Sequence, residues 1–89
     1  MSHWTLVTSK SFDKSARRID RASLERIRDY MQEVTALTDP RARAQSLSGN
    51  WAGYWRYRIG DYRVIVQFRD TELRIIAVNV GHRSAIYVE

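Results

Sequence analysis

Tyr54-Trp55-Arg56-Tyr57-Arg58-Ile59-Gly60-Asp61-Tyr62-Arg63-Val64-Ile65-Val66-Gln67 alternates from one side chain to the next on both sides of Gly60-Asp61. A period of two over each arm predicts a pair of strands, and Gly-Asp between them predicts a two-residue hairpin turn. That turn sets the register: Ile59 opposes Tyr62, Tyr57 opposes Val64 and Trp55 opposes Val66, so these six form a core face. The opposite face then carries Tyr54, Arg56 and Arg58 on one strand and Arg63, Ile65 and Gln67 on the next, with Arg58 directly across from Arg63. Like charges opposed across a ladder destabilise it. Three clustered arginines therefore point to an anionic ligand, or to counter-charge from Asp61, Glu89 or an acidic partner.

Downstream, Asp70-Thr71 reads as a second two-residue turn and Glu72 to Val80 as a third strand, which makes an antiparallel meander. Gly81-His82-Arg83 leaves that strand near the Gly60-Asp61 end, so Arg83 and His82 are expected to join the arginine cluster. Upstream, Arg41 to Gly53 lacks long periodicity and reads as a connecting segment. Before it stand a short strand, Trp4 to Val7, and two amphipathic helices. The first, Lys10 to Ile19, is capped by Thr8 or Ser9 and places Phe12, Ala16 and Ile19 on one face. The second is capped by Asp20, carries Leu24, Ile27, Met31, Val34 and Leu37, and stops at Asp39-Pro40. The order β-α-α-β-β-β predicts an α+β fold, an antiparallel sheet of three-stranded meander plus N-terminal strand, with both helices on one face.

Eighty-nine residues suit a single domain spanning the chain, and 44% hydrophobic content supplies one core. No apolar run approaches the roughly 20 residues of a membrane-spanning helix. No membrane partner is expected, and a cytoplasmic protein is. The absence of Cys excludes disulfides, thiolate metal sites and cysteine nucleophiles. His3 and His82 show no paired metal-ligand spacing, and with no Gly-rich phosphate loop, GxSxG elbow or catalytic carboxylate pair, no cofactor is expected. The net charge is +5 and the pI about 10.1. Thirteen of the fifteen basic side chains are arginine, only Lys10 and Lys14 being lysine. Arginine's planar fork grips phosphate and carboxylate bidentately, so this skew again favours anionic partners. Tyr87, four residues past Arg83, is placed either to stack on a base and move a proton or to pack on the sheet. Trp51 reads either as a hydrophobic lid or as a base-stacking platform.

Leu47-Ser48-Gly49, the run Gly53 to Ile65, and Val80-Gly81-His82-Arg83 followed by Tyr87 together resemble the RelE/ParE superfamily of toxins, on its RelE-like side. The resemblance implies the toxin of a type II toxin–antitoxin system: a metal-independent endoribonuclease that cuts mRNA in the ribosomal A site and is held inactive by a cognate acidic antitoxin. It implies ribosome and mRNA as further partners and a toxin–antitoxin hetero-oligomer. The family's basic catalytic positions fall on Arg56, Arg58 and Arg63, its late arginine and tyrosine on Arg83 and Tyr87. A 2′-hydroxyl attacks the adjacent phosphate and the 5′-oxygen leaves, so positioned cations carry most of the chemistry. Arg58, Arg63 and Arg83 are assigned to clamping the phosphate, Arg56 to positioning or charge stabilisation, Tyr87 and His82 to proton transfer or base stacking, and Tyr54 and Trp51 to substrate contact. Arginine stays protonated, so Arg56 and Arg58 are not general bases where family members carry lysine. The alternatives are a ParE-like inhibitor of DNA gyrase acting by protein contact, and a catalytically inactive module that binds RNA or antitoxin.

Overall fold

The helices start where the sequence supplies caps. In the computed structural model, which describes residues 3–86, Ser9 Oγ accepts from the Phe12 N–H at 3.0 Å and donates to the Val78 carbonyl at 2.8 Å. One hydroxyl thus starts α1 (Lys10–Ala16) and ties it to the sheet. Asp20 accepts from the Ser23 N–H at 3.0 Å and starts α2 (Arg21–Thr35). The first helix ends at Ala16, short of the expected Ile19.

Among the described residues, five strands form one sheet in the order β1-β5-β4-β3-β2: β1 (Thr5–Thr8), β2 (Gln45–Ser46), β3 (Trp55–Ile59), β4 (Tyr62–Arg69) and β5 (Arg74–His82). The hairpin register is the expected one, with Trp55 opposite Val66, Tyr57 opposite Val64, Arg58 opposite Arg63 and Ile59 opposite Tyr62. Gly60 has φ +59° at the first turn position, where a type II′ hairpin needs a glycine.

Three expectations are corrected. The sheet is mixed, because β1 runs parallel to β5, Thr5 opposite Arg74 through Thr8 opposite Ala77. Everything between β1 and β5 acts as the crossover that parallel strands need. The short strand β2 adds an edge beside β3, pairing Gln45 with Arg56. The β4–β5 connection is a 3₁₀ turn over Asp70–Glu72 closed by Leu73 in the left-handed region at φ 52°, so the third meander strand starts at Arg74.

Both helices pack on the face of the sheet that carries Tyr57, Ile59, Val64, Val66, Ile75, Ala77 and Val80. They contribute Phe12, Ile27, Met31 and Val34 to one core. Each fully buried aliphatic side chain there contributes about 1.5–3 kcal/mol. The Tyr57 ring is fully buried and its hydroxyl donates to the Pro40 carbonyl at 2.7 Å. That bond fixes the 3₁₀ turn Pro40–Arg43 against the core. Among the described residues no helix is long and apolar enough to cross a membrane.

Candidate functional site

Alternation along β3 and β4 leaves Arg56, Arg58, Arg63 and Ile65 on the side away from the helices. This second face is not fully open. Arg63 is only 7% exposed and Ile65 is fully buried. Past β5 the chain folds back, the Ala85 and Ile86 N–H groups donating to the His82 carbonyl at 2.8 and 3.1 Å. Ile86 then packs on Gly81, which stands opposite Arg63; a Cβ added at Gly81 would lie 3.2 Å from Ile86 Cδ1. A larger residue at Gly81 would make Ile86 shift by a few tenths of an ångström.

The arginines are held in different ways. Arg63 turns its guanidinium toward the hairpin, Nη1 donating to the Gly60 carbonyl at 3.0 Å and the Tyr62 carbonyl at 2.9 Å. Two carbonyl acceptors hold this guanidinium in a fixed place. Directly across the ladder, Arg58 is exposed. Arg56, two residues back on the same strand, donates from Nη2 to Gln45 Oε1. Arg83 reaches the same end of the sheet, its N–H donating to the Asp61 carbonyl at 2.7 Å and its Nε lying 3.8 Å from the Asp61 carboxylate. Asp61 thus supplies part of the counter-charge, but as an exposed pair, which an incoming anion displaces at little cost.

His82 does not join this cluster. A bulge between Ile65 and Val66 pairs Val66 with Ala77 and Ile65 with Asn79, leaving Val78 without a partner. The extra residue inverts the alternation beyond it, so Val80 enters the core and His82 stands opposite Tyr62 on the helix side. The two rings meet edge-on, centroids 5.8 Å apart. Tyr87 lies outside the described residues.

Trp51 and Tyr54 contact each other edge-on at 5.5 Å, both half-buried, and the Tyr54 N–H donates to the Trp51 carbonyl at 3.0 Å. They lie in the segment just before β3, the strand that carries Arg56 and Arg58. Gln45, the partner of Arg56, was missed by sequence reasoning, because a two-residue edge strand is too short to show a period. Other arginines have structural work. Arg41 forms a bidentate pair with Asp70 at 2.8 and 2.9 Å and lies over Phe68 at 4.4 Å and Trp55 at 5.4 Å. Its guanidinium holds the Asp70 carboxyl below its ordinary range. Arg43 pairs with Glu33 at 3.2 Å. The arginine excess is therefore divided between latching the fold and charging the second face.

The family model described as the ParE toxin of type II toxin–antitoxin system, parDE, matches residues 6–87. Among solved structures, the fold is similar to that of the toxin–antitoxin complex RelBE2 from Mycobacterium tuberculosis, at 18% identity, 94% of this chain, 95% of that chain and a TM-score of 0.84. It is similar to the archaeal RelE–RelB complex from Pyrococcus horikoshii OT3, at 21% identity, 94% of this chain, 99% of that chain and a TM-score of 0.74. YafQ from E. coli strain BL21(DE3) is similar at 18% identity, 96% of this chain, 99% of that chain and a TM-score of 0.64. No curated protein sequence matches the chain.

Proposed function

Because this chain belongs to the ParE toxin family of type II toxin–antitoxin systems, we propose that it is the toxin of such a system and acts as a metal-independent endoribonuclease on mRNA in the ribosomal A site. The observation that carries this reading is the pairing of Arg58 with Arg63 across β3 and β4, at the same end of the sheet as the turn that tethers Arg83. A buried, carbonyl-anchored cation facing an exposed one is suited to a phosphate that accumulates charge.

The chemistry follows from that arrangement. The RNA 2′-oxygen bonds to phosphorus as the bond to the 5′-oxygen breaks, giving a 2′,3′-cyclic phosphate and a free 5′-hydroxyl. The proton leaves the 2′-oxygen and one is delivered to the 5′-oxygen. Arg63 and Arg58 stabilise the non-bridging oxygens, and Arg83 exchanges Asp61 for the phosphate. Arg56, steadied by Gln45, positions the strand, while Tyr54 and Trp51 offer aromatic surface for a neighbouring base. Arginines do not release protons, and His82 stands on the other side of the sheet, so proton transfer falls to Tyr87.

The partner is an acidic antitoxin in a hetero-oligomer, a reading supported by the fold's likeness to toxins solved with RelB antitoxins. One observation favours a second reading: the matching family description is that of ParE, and a ParE-like inhibitor of gyrase works by protein contact without a phosphate clamp. Growth arrest by Arg58→Ala and Arg63→Ala separates the two. Both variants lose toxicity if the clamp is the machinery, and both keep it if contact suffices.

A further inference from the structure

The edge of β5 beside α1 carries a cavity that the clamp of Arg58, Arg63 and Arg83 does not use. Beyond Ala77, the last residue paired with β1, β5 borders a space of about 340 Å³ lined by Ser15, Arg18, Tyr62, Asn79, His82 and Ile86 among others. That volume lies within the roughly 300–1,000 Å³ of small-molecule sites. Its polar groups divide: Asn79 and His82 present donors, while Ser15 Oγ, whose proton goes to Asn79, presents acceptor lone pairs. Asn79 Oδ1 accepts from Ser15 Oγ at 2.8 Å and from the Val80 N–H at 2.9 Å. A backbone N–H only donates, so the atom facing it is the amide oxygen and the side-chain orientation is fixed. Asn79 is left with its NH₂ group. His82 Nδ1 accepts from the Ser84 N–H at 3.2 Å, so in the neutral ring the proton sits on Nε2, again a donor. Arg18 is exposed at the rim and donates only.

The remaining lining is flat and apolar, with Ile19 and Val80 beside the Tyr62 ring. Arg18 is the charged residue of this lining, and the cavity lies at the carboxyl end of α1, where the backbone dipole disfavours anions. A planar ligand with acceptors along one edge fits the donors of Asn79 and His82.

We infer that this cavity is a nucleobase subsite that takes an unstacked keto base through its acceptor edge. The inference rests on the nuclease reading for its source of bases, the RNA substrate, whose unpaired bases are held by stacking and edge hydrogen bonds. A base with a carbonyl and a ring nitrogen side by side meets two donors, whereas an exocyclic amine at the same place meets a donor with a donor.

The test uses nucleosides, which carry no phosphate and so bypass the arginine clamp. Inosine and adenosine differ at the sixth position, carbonyl against amine. Titrated into the purified full-length protein and followed by NMR, inosine is expected to shift the Asn79 side-chain NH₂ and His82 ring signals and to bind at least tenfold more tightly than adenosine. Asn79→Asp keeps the oxygen that faces Ser15 and Val80 but removes the NH₂, so it should retain the melting temperature and lose inosine binding by tenfold or more. Equal binding of the two nucleosides, shifts confined to the arginine face, or no binding overturns the inference without any variant. Cleavage of mRNA without inosine selectivity refutes the cavity alone. Inosine selectivity with mRNA left intact supports the cavity as a nucleobase subsite and refutes the nuclease reading.

Discussion

Arg58 and Arg63 stand opposite one another across β3 and β4, yet Arg63 is 7% exposed and bonded to the carbonyls of Gly60 and Tyr62, while Arg58 is in solvent. Two arginines placed as equals by register are thus unequal in environment, and their variants should behave differently.

Arg58→Ala should leave the melting temperature within about 1 °C of the parent and lower single-turnover cleavage by roughly 10²–10³-fold, the usual loss for one charge-stabilising donor. Arg63→Ala should lower cleavage as much and also cost about 1–3 kcal/mol of stability, because two carbonyls lose a charged partner. Thermal unfolding beside a cleavage assay checks both. Equal stability of the two variants would show that the Arg63 anchoring does no structural work.

Asp61→Asn should strengthen RNA binding by less than tenfold. It removes the carboxylate that competes for Arg83 but keeps the carbonyl that accepts the Arg83 N–H. Titration of a labelled oligonucleotide at two salt concentrations measures this, and weaker binding by Asp61→Asn would contradict it.

Asp70 gives the fold an acid-side dependence. Arg41 bonds its carboxylate and depresses its pKa below 3.8, so the folded state binds the proton less readily than the unfolded state does. The contribution is present above the ordinary carboxylate range and is lost as pH falls through the depressed value. The melting-temperature gap between the parent and Asp70→Asn should therefore be widest near neutral pH and shrink below about pH 4. A gap that grows on acidification would contradict the assignment.

Association with an acidic antitoxin should be steered by the +5 net charge. Its on-rate is expected to fall on going from about 0.05 to 0.5 M salt, as screening shortens the reach of the arginine face. Stopped-flow mixing provides the measurement, and an on-rate unchanged by salt would contradict it.

The hairpin was legible because Gly60-Asp61 fixes register by itself, and through it the opposition of Arg58 and Arg63. The helix caps Ser9 and Asp20 were legible for the same local reason. Strand direction was not, since a period of two reads alike in either sense, and β1 turned out parallel. The side on which His82 falls depended on one unpaired residue, Val78, and nothing in the alternation of β5 announces a bulge. The burial of Arg63 was illegible because alternation assigns a side chain to a face and says nothing of how closely that face is covered.

The central claim is that the arginine face cuts RNA by 2′-hydroxyl attack. The direct measurement incubates the purified protein with ribosomes programmed with a short mRNA, alongside the same mRNA carrying a single 2′-deoxy nucleotide at the mapped cleavage position. The account predicts cleavage of the all-ribose message to a 2′,3′-cyclic phosphate end and none at the deoxy position. Intact all-ribose message, with gyrase supercoiling inhibited by the same preparation, would contradict it.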